Sequence, residues 1–463
     1  MSRAEVVVVG AGISGLAAAH ALQGDRELDA DVTVLEGATQ VGGVLHTSEV
    51  AGFPVDAGAD AFLARAPEGL RLAGEAGLAG EVVHPATGRA YVWVGGRLRP
   101  LPARTVLGVP SSLRALARSR VLSPWGSVRA ALDLVRPGRP PGADVPVGAL
   151  VARRLGPQVS ERLVDPLLGG VYAGRADHLG LDAALPQLAE VAHRHRSLLR
   201  AAREVQPTTT AGDGPVFASV AGGLGRLPEA LAARLGPDAI RLSTRAALVE
   251  RVGTAWRVTM VGGRAVVADA IVLATPAPVT ARLLRYAAPA VSARLAAVET
   301  ASVAIVTLAV PSGALARAPV GSGFLVPATE GRTVKACTFT SQKWPALGSA
   351  DVELVRCSVG RAGEPPTPDD DELVAAVRAD LEAAVGLDAA PVETRVTRWP
   401  DGLPQYGVGH LDLVTEVLSE VAALPGLALA GSAYGGVGIP ACIRSGETAA
   451  SAVAAHLRSL RRA

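Results

Sequence analysis

A glycine-spaced turn near the N-terminus constrains the fold more than any other feature of the sequence. Residues 5–9 form a β-branched run, and Gly10, Gly12 and Gly15 follow it at the start of a helical run of small residues. In this spacing the first glycine makes a tight turn, the second lets a pyrophosphate approach the backbone, and the third lets the helix pack on the strand. A second strand is predicted at 31–35, which completes a right-handed strand–helix–strand unit. The segment predicts an α/β domain that binds a dinucleotide.

The residue after the second predicted strand supports this interpretation. Glu36 lies 21 residues after Gly15, where a carboxylate accepts hydrogen bonds from both ribose hydroxyls of an adenosine and repels a 2′-phosphate. The amides and partial positive charge of the first helix N-terminus suit a pyrophosphate. The alternative is an ordinary α/β unit with a glycine turn.

Two further glycine-containing segments favour FAD over NAD. Gly42 and Gly43, and then a strand that ends at Gly58, come after Glu36. A simple NAD domain would continue there with another crossover helix. Backbone-lined segments of this kind suit a longer cofactor that stays against the main chain over many residues.

A glycine-rich segment at 431–438 predicts a second backbone cradle. It lies between a predicted strand at 427–430 and a predicted helix at 440–458. A helix N-terminus aimed at the N1–C2=O edge of a flavin would stabilise the anion formed on reduction, with no charged side chain needed. A loop that only caps the C-terminal helix is the alternative.

The rest of the chain predicts a mixed sheet and a helical insert. A Gly95-Gly96 turn predicts a hairpin that belongs to a different sheet, and helical periodicity runs from 106 to 205 with a Pro/Gly-rich surface loop at 136–142. Three further strands are predicted to form a meander, at 246–252, 255–259 and 264–267, and a buried strand follows at 270–274. A later group of strands with alternating apolar residues is predicted at 302–309, 333–340 and 352–358.

One later helix has clear end signals. Thr367 is predicted as its N-cap, Pro368 as its first residue, and Gly386 as its end. The fold class predicted for the whole chain is α/β, a Rossmann-type FAD-binding domain with a mixed-sheet substrate domain and a helical insert. The 463 residues allow about three domains. The predicted boundaries are 1–75, 213–282 and 424–463 for the FAD-binding domain, 76–105 and 283–423 for the substrate domain, and 106–212 for the helical domain.

Composition excludes several other classes of protein. Lys and Arg total 45 against 43 Asp and Glu, so the net charge of +2 predicts no nucleic-acid partner. Three widely spaced cysteines offer no disulfide framework, and His193 and His195, placed on an apparent helix, lack a zinc spacing, so no metal is expected. No apolar run is long enough to span a membrane, and the glycines after Arg3 argue against a secretory leader. We expect a cytoplasmic protein with at most peripheral membrane contact.

Together the motifs resemble the flavin amine-oxidase-like group, and within it the protoporphyrinogen/coproporphyrinogen oxidases of heme synthesis. The resemblance covers nearly the whole chain. Val9-Gly-Ala-Gly-Ile-Ser-Gly-Leu16 and Gly435-Gly-Val-Gly-Ile439 are shared with many flavin oxidases. Gly170-Val-Tyr-Ala-Gly174 and Pro404-Gln-Tyr406 with Gly409-His410 are typical of the porphyrinogen branch.

The resemblance implies non-covalent FAD and a set of contact residues. Val249 would meet the adenine through its backbone, and Trp399 would lie near the isoalloxazine. The complete set implied is Gly10, Ala11, Gly12, Ile13, Ser14, Gly15, Glu36, Gly37, Gly42, Gly43, Val44, Gly58, Ala59, Asp60, Ala61, Val249, Trp399, Val437, Gly438 and Ile439. This chain departs from the pattern at Gln40 and Val44, where relatives often carry a basic side chain, and at Ala441, where an acid is common.

The reaction implied is the six-electron oxidation of a porphyrinogen by O2. Three hydride transfers to the flavin, each followed by reoxidation to H2O2, need no side-chain nucleophile, so no catalytic residue is predicted. Coproporphyrinogen III is favoured over protoporphyrinogen IX because the resemblance is to the soluble bacterial branch, and a downstream ferrochelatase is a possible partner. Substrate carboxylates need cationic donors, and the candidate substrate residues are Arg65, Arg89, Tyr172, Lys335 and Lys343.

Three rival functions stay open at this point. Protoporphyrinogen IX oxidation is the nearest. An amine oxidase or carotenoid desaturase would use the same flavin frame, although only 15 aromatic residues are available for an amine-binding aromatic cage. A catalytically silent flavoprotein that holds a porphyrin for a chelatase would differ in that its bound flavin would not be reduced by a porphyrinogen.

Overall fold

The computed structural model describes residues 3–136, 138–206, 214–315, 317–365 and 368–462. Within these ranges the strands are β1 (Ala4–Val9), β2 (Ala30–Leu35), β3 (Thr47–Val50), β4 (Phe53–Asp56), β5 (Phe62–Leu63), β6 (Val82–Val83), β7 (Ala90–Val94), β8 (Arg97–Pro100), β9 (Thr105–Val106), β10 (Val109–Pro110), β11 (Phe217–Val220), β12 (Ile240–Arg241), β13 (Ala246–Val252), β14 (Ala255–Met260), β15 (Ala265–Ala268), β16 (Ala270–Leu273), β17 (Thr300–Pro311), β18 (Gly323–Leu325), β19 (Val334–Phe339), β20 (Val352–Val359), β21 (Glu393–Pro404) and β22 (Leu427–Leu429).

The helices of the same ranges are α1 (Ile13–Gly24), α2 (Pro67–Glu75), α3 (Leu113–Ser119), α4 (Pro124–Val135), α5 (Val147–Leu155), α6 (Pro157–Val159), α7 (Asp165–Tyr172), α8 (Leu181–Ala184), α9 (Pro186–Ala192), α10 (Leu198–Val205), α11 (Arg226–Leu235), α12 (Ala277–Leu284), α13 (Pro289–Ala296), α14 (Thr340–Lys343), α15 (Asp370–Val385), α16 (His410–Ala422), α17 (Ser432–Gly435) and α18 (Ile439–Arg462). A wider helical turn, Ser160–Val164, joins α6 to α7.

A five-stranded parallel sheet carries the N-terminal glycine turn. Its order is β12-β2-β1-β16-β22, and every neighbouring pair is parallel. Because side chains alternate along a strand, Val6 and Val8 of β1 face a core shared with α1 and α18, while Val7 and Val9 face a second core on the other side. The sheet is therefore buried on both faces, as the apolar runs predict. The strands predicted at 5–9, 31–35 and 270–274 are confirmed.

A second, mixed sheet has seven strands in the order β21-β17-β20-β19-β18-β7-β8. Only the pair β18 and β7 is parallel among the described pairings. The hairpin predicted at Gly95-Gly96 joins β7 to β8, and both glycines have the positive φ angles that such a two-residue turn requires. Helix α15 packs on one face through Leu373 and Val377, which lie in one core with Val306 of β17.

Helices α3 to α10 form the predicted helical insert around a separate core. The insert also holds a short hairpin, β9 and β10, that the sequence did not predict. The predicted loop at 136–142 follows α4, and residue 137 lies outside the described residues. His193 and His195 lie just beyond the end of α9 rather than within a helix, and each ring contacts its own carboxylate: Asp182 for His193 and Glu204 for His195.

The start of α15 corrects one prediction. Asp369 is the N-cap, since its carboxylate accepts a hydrogen bond from the backbone N–H of Glu372 at 3.0 Å. Pro368 therefore precedes the helix instead of being its first residue, and Thr367 lies outside the described residues. Gly386 ends the helix in the left-handed conformation, as predicted. None of the helices described is long and apolar enough to cross a membrane.

Candidate functional site

The three glycines of the first turn have different surroundings. Gly10 has φ +104°, and a Cβ atom there would lie 2.6 Å from the carbonyl oxygen of Ala274. A Cβ atom on Gly15 would collide with the carbonyl oxygen of Gly10. Gly12 has no atom within 4 Å of its Cβ position. The first and third glycines are thus required by packing, whereas the second faces open space at the N-terminus of α1.

Glu36 lies beside this turn, directly after β2. One of its carboxylate oxygens accepts a hydrogen bond from the backbone N–H of Ala11 at 2.7 Å, and the other accepts one from Ala38 at 2.8 Å. Each carboxylate oxygen has capacity for a second donor, and the side chain is half-buried. The carboxylate is fixed at the end of β2 and is still able to accept hydroxyl donors.

The second glycine pair lies against the first turn. The N–H of Gly42 donates to the carbonyl oxygen of Ala11 at 2.8 Å. The next residues, Gly43 and Val44, are exposed, with Val44 42 % accessible. Gly58 packs against the carbonyl of Val44, where a Cβ atom would collide. The structure therefore brings the 42–44 and 58–61 segments to the glycine turn, although they are separate in sequence.

The C-terminal glycine loop completes this edge of the parallel sheet. Gly435 and Gly438 are exposed, and α18 begins just after them at Ile439. Helix α18 packs on α1 so closely that a Cβ atom on Gly446 would collide with the carbonyl oxygen of Ser14. Two long helices thus begin at loops that follow the carboxyl ends of β1 and β22, the edge where open α/β sheets bind ligands.

These residues fit a flavin dinucleotide. The position of Gly12 has room for a pyrophosphate, and the exposed backbone at Gly43, Gly435 and Gly438 lies on the same edge. Glu36 supplies a ribose acceptor. The chain offers glycine backbone and helix N-termini for an extended anionic ligand, which is the donor set that a dinucleotide requires.

Asp60, predicted from the resemblance to contact the cofactor, is engaged with the mixed sheet. Its carboxylate accepts a hydrogen bond from Lys343 Nζ at 2.7 Å and lies 3.6 Å from Arg356. The Trp344 indole N–H lies at 3.5 Å from the same oxygen. Burial alone would raise the pKa of Asp60, but the two cations hold it well below its usual range. Lys343, the last residue of α14, is thereby committed to an ion pair with the 58–61 segment.

The other predicted cofactor residues are placed as follows. Trp399 lies in β21, half-buried, and its indole N–H donates to the carbonyl oxygen of Ala57 at 2.8 Å, directly before the 58–61 segment. Val249 has a fully buried side chain in β13, an edge strand of the meander, so only its backbone is free to meet a ligand. The remaining residues of the predicted set lie at the turns described above or beside them, at Ile13, Ser14, Gly37, Ala59, Ala61 and Val437.

The predicted substrate residues divide into exposed and buried ones. Arg65 and Arg89 are exposed on the surface. Tyr172 is buried in the core of the helical insert, and its hydroxyl donates to the carbonyl oxygen of Ala184 at 3.3 Å. Burial raises the pKa of Tyr172 to about 12. Lys335 is buried and Lys343 is half-buried, both in the mixed-sheet region.

Sequence reasoning missed a clamp formed by Gln405, Tyr406 and His410. The Tyr406 hydroxyl donates to the Ser432 carbonyl and accepts from the Gly436 N–H at 3.0 Å. The His410 ring stacks on Tyr406 with centroids 4.1 Å apart, and burial lowers the pKa of His410.

The same segment also contacts the helical insert. Gln405 donates from Nε2 to the carbonyl oxygen of Tyr172 at 2.7 Å. The Pro404-Gln-Tyr406 motif thus ties the C-terminal glycine loop to α7. The motif itself was the available signal, but its spacing carried no indication of these partners.

This geometry defines an α/β flavoprotein-type oxidoreductase in which a parallel sheet and a mixed sheet meet beside two glycine loops. The chain belongs to the family of flavin containing amine oxidoreductases, whose model matches residues 13–454. A flavin cofactor follows from that membership. In the described residues no group of three or more His, Cys, Asp or Glu side chains is placed to hold a metal ion.

Three relatives show where the chain lies within the family. It is 40 % identical over 450 residues to a Mycobacterium bovis protein named coproporphyrinogen III oxidase, which covers 96 % of each chain. It is 32 % identical over 465 residues to the Bacillus subtilis protein of the same name, covering 98 % of each. A crystal structure of an Exiguobacterium protein assigned as a protoporphyrinogen oxidase matches with a TM-score of 0.86 at 33 % identity, covering 98 % of this chain and 99 % of that one.

Proposed function

We propose that this protein is an FAD-dependent oxidase that converts coproporphyrinogen III to coproporphyrin III with O2, in heme biosynthesis. The observation that carries the proposal is the full-length similarity to two proteins named coproporphyrinogen III oxidase. The glycine loops, Glu36 and the two helix N-termini supply the binding elements that such an oxidase requires.

We propose that the FAD is held without a covalent bond. Cys442 is the cysteine next to the C-terminal glycine loop, and its thiol points at the carbonyl oxygens of Gly436 and Val437. Burial raises the pKa of Cys442 to about 11, so the thiol is neutral near pH 7 and a poor nucleophile. This supports retention by backbone contacts and by the set of residues given above.

The reaction balances with three equivalents of O2. Coproporphyrinogen III loses six hydrogens, and three O2 become three H2O2. A bound flavin supplies the hydride acceptor for this chemistry. The chain's own contribution is to bind and orient: Tyr406 fixes the loop at Gly436, and Trp399 closes the space between the 58–61 segment and β21. His410 holds Tyr406 by stacking, donates from Nε2 to the carbonyl oxygen of Ala433 at 2.9 Å, and transfers no proton in this scheme.

Protoporphyrinogen IX is the second candidate substrate, because the Exiguobacterium structure is assigned to that activity. The test is an aerobic assay of purified protein with both porphyrinogens in parallel, with porphyrin fluorescence and H2O2 followed together. Faster turnover of coproporphyrinogen III is expected. A preference for protoporphyrinogen IX would make that compound the proposed substrate. If flavin-loaded protein oxidises neither porphyrinogen, the proposal is overturned in favour of an amine oxidase, a desaturase or a silent porphyrin-binding flavoprotein.

Two wider expectations accompany this proposal. A ferrochelatase would accept the porphyrin product, and the reaction would take place in the cytoplasm. Both are predictions drawn from the place of a porphyrin-forming step before iron insertion, and co-purification with a ferrochelatase and cell fractionation are the respective tests.

A further inference from the structure

The mixed sheet is covered on one face by α15, and its other face is half-buried at β19 and β20. Val306 and Cys357 pair across β17 and β20 and are buried under α15. The alternate residues of β19 and β20, including Ala336, Thr338 and Ser358, are only half-buried. On the same side of β17, Ile305 and Ala309 are buried, and β21 beyond them carries Trp399, whose indole N–H donates to the carbonyl oxygen of Ala57. This face therefore lies beside the predicted flavin site.

Lys335 lies at a break in this sheet. The pairing of β19 with β20 shifts register between Val334 and Ala336, so that Lys335 is the extra residue of a β-bulge. Bulges commonly redirect a side chain near a functional site. The Lys335 side chain is buried, with 4 % of the residue accessible, and its Nζ donates to the carbonyl oxygen of Gly360 at 2.8 Å.

No carboxylate forms an ion pair with Lys335 in the part of the chain that the structure describes. An ammonium has three donors, of which one has a partner here. Burial, and secondarily the charge of Arg361, lower the pKa of Lys335 to about 7. Burial thus favours the neutral amine, the charge of Glu364 acts in the opposite direction, and a further carboxylate beside Lys335 would favour the ammonium form.

Arg361 is a second buried cation in the same place. It is 8 % accessible, and its guanidinium donates to the carbonyl oxygen of Val326 and to the carboxylate of Glu364, each at 3.2 Å. Glu364 is itself an exposed residue. The N–H of the next residue, Ala362, donates to the carbonyl oxygen of Ala173 at 2.7 Å, which joins this corner to the end of α7.

The nearest other acid is already occupied. Asp165, the first residue of α7, is close enough to feel the charge of Arg361, and it accepts a hydrogen bond from the backbone N–H of Ala176. The corner between the mixed sheet and α7 therefore holds Lys335 and Arg361 beside one exposed carboxylate, Glu364, and beside Asp165, whose pKa is raised by burial. The chemistry of this corner suits one further carboxylate.

We propose that Lys335 and Arg361 form a subsite for a carboxylate side chain of the substrate. This inference rests on the proposed function, because a coproporphyrin-type macrocycle carries carboxylates on flexible arms around a flat ring. An entering carboxylate supplies the counter-charge that Lys335 lacks, and the flat ring lies along the half-buried side of β19 and β20, opposite α15. The subsite selects for the number and position of acidic arms rather than for the ring.

The test measures binding of two porphyrins to flavin-loaded protein by fluorescence titration. Coproporphyrin III carries free carboxylates, and its tetramethyl ester carries none. Lys335→Met is expected to weaken binding of the acid about tenfold, as for loss of one charge-assisted hydrogen bond, and to leave binding of the ester unchanged. Lys335→Arg is expected to retain most of the preference for the acid, and Arg361→Gln to lose it as Lys335→Met does.

Arg332→Met is the matched control. Arg332 is exposed, pairs with Asp380 and lies over the ring of Trp93, which belongs to the core on the covered side of the sheet. This variant removes one positive charge only a few residues from Lys335, and we expect no change in the ratio of acid to ester affinity. Because Lys335→Met replaces a buried cation with an apolar chain, its flavin content and unfolding temperature are expected to equal or exceed those of the wild type.

The outcomes separate this inference from the proposed function. An unchanged ratio of acid to ester affinity in Lys335→Met, or equal weakening of both probes, overturns the subsite while the oxidase stands if the wild type oxidises coproporphyrinogen III. If the wild type neither oxidises a porphyrinogen nor binds either probe, the proposed function fails and the subsite fails with it. A selective loss of acid binding, with a raised KM for coproporphyrinogen III, supports the subsite.

Discussion

One methyl group has opposite consequences at two positions of the first glycine turn. At Gly15 it collides with the Gly10 carbonyl, whereas at Gly12 it enters open space. We expect Gly15→Ala to lower the free energy of unfolding by about 1–3 kcal/mol. The backbone at Gly12 is extended, a conformation that alanine accepts, so Gly12→Ala should keep the stability of the wild type. Its affinity for flavin should fall about tenfold or more, because the methyl group occupies the pyrophosphate space.

Thermal unfolding and the absorbance ratio of flavin to protein measure these two effects separately. Wild-type flavin content in Gly12→Ala would contradict the assignment of that space to the cofactor. Loss of folding in Gly12→Ala would instead show that the open space is needed by the chain itself.

A buried carboxyl group next to the site predicts a pH dependence of stability. Burial raises the pKa of Asp56 from 3.8 to about 6. The folded protein binds this proton more tightly than the unfolded chain does. The resulting contribution to the free energy of unfolding is therefore present below about pH 4 and is lost as the pH rises through 6, a change of about 3 kcal/mol. Asp56→Asn keeps an acceptor oxygen for Thr47 and the Leu224 N–H. We expect this variant to be more stable than the wild type at pH 8 and no more stable at pH 4.

Urea unfolding at the two pH values is the measurement. An equal effect of Asp56→Asn at pH 4 and pH 8 would show that ionisation of Asp56 does not set the dependence.

At the scale of elements, the clamp on the C-terminal glycine loop offers a matched pair of tyrosines. The ring centroids of Tyr406 and Tyr172 lie 5.4 Å apart. Of the two hydroxyl groups, only that of Tyr406 contacts the loop, through Gly436 and Ser432. We expect Tyr406→Phe to weaken flavin binding about tenfold, corresponding to about 1.4 kcal/mol for the lost hydrogen bonds. Tyr172→Phe removes a bond to Ala184 within the helical insert and should leave flavin affinity unchanged.

Titration of the apoprotein with FAD, with flavin fluorescence as the signal, compares the two variants. Equal losses in both would indicate that the aromatic pair acts through general packing and not through the loop.

The sequence predicted elements whose patterns are local. Strands β1, β2 and β16 are β-branched runs, and the turns at Gly10 and at Gly95-Gly96 depend on neighbouring residues only. Strand β21 was missed because Glu393–Pro404 mixes charged residues with Pro and Gly and is largely accessible, so it lacks an alternating apolar pattern. The cap of α15 was misplaced by two residues because Thr, Pro and Asp are all good helix-start signals.

The candidate site was predicted only where it consists of backbone. Glycine spacing and a carboxylate after a strand indicate a dinucleotide cradle by themselves. The pairing of Asp60 with Lys343, the Tyr406 clamp and the bulge at Lys335 join residues far apart in sequence. Such contacts depend on how two sheets meet, which no local pattern contains.

At the scale of the whole molecule, the ion pair of Asp60 and Lys343 joins the cofactor segments to the mixed sheet. Lys343→Met leaves the Asp60 carboxylate with Arg356 at 3.6 Å as its remaining cation. We expect a loss of about 1–3 kcal/mol in the free energy of unfolding, since the half-buried carboxylate then has only this longer ion pair. Asp60→Asn in the same chain removes that charge and should restore much of the loss.

A double-mutant cycle of these two changes, measured by urea unfolding, gives the coupling energy. Additive effects of the two substitutions would show that the pair does not hold the two sheets together.

Because α18 packs on α1, the glycine cradle is complete only when both helices have been made. Gly446 lies against the backbone of Ser14, so the two halves of the glycine cradle come from opposite ends of the sequence. A ribosome delivers β1 and α1 first and α18 last. We therefore expect the flavin to be captured only after α18 has been made, and a chain without α18 exposes the apolar surface that α18 covers, where chaperones and proteases act.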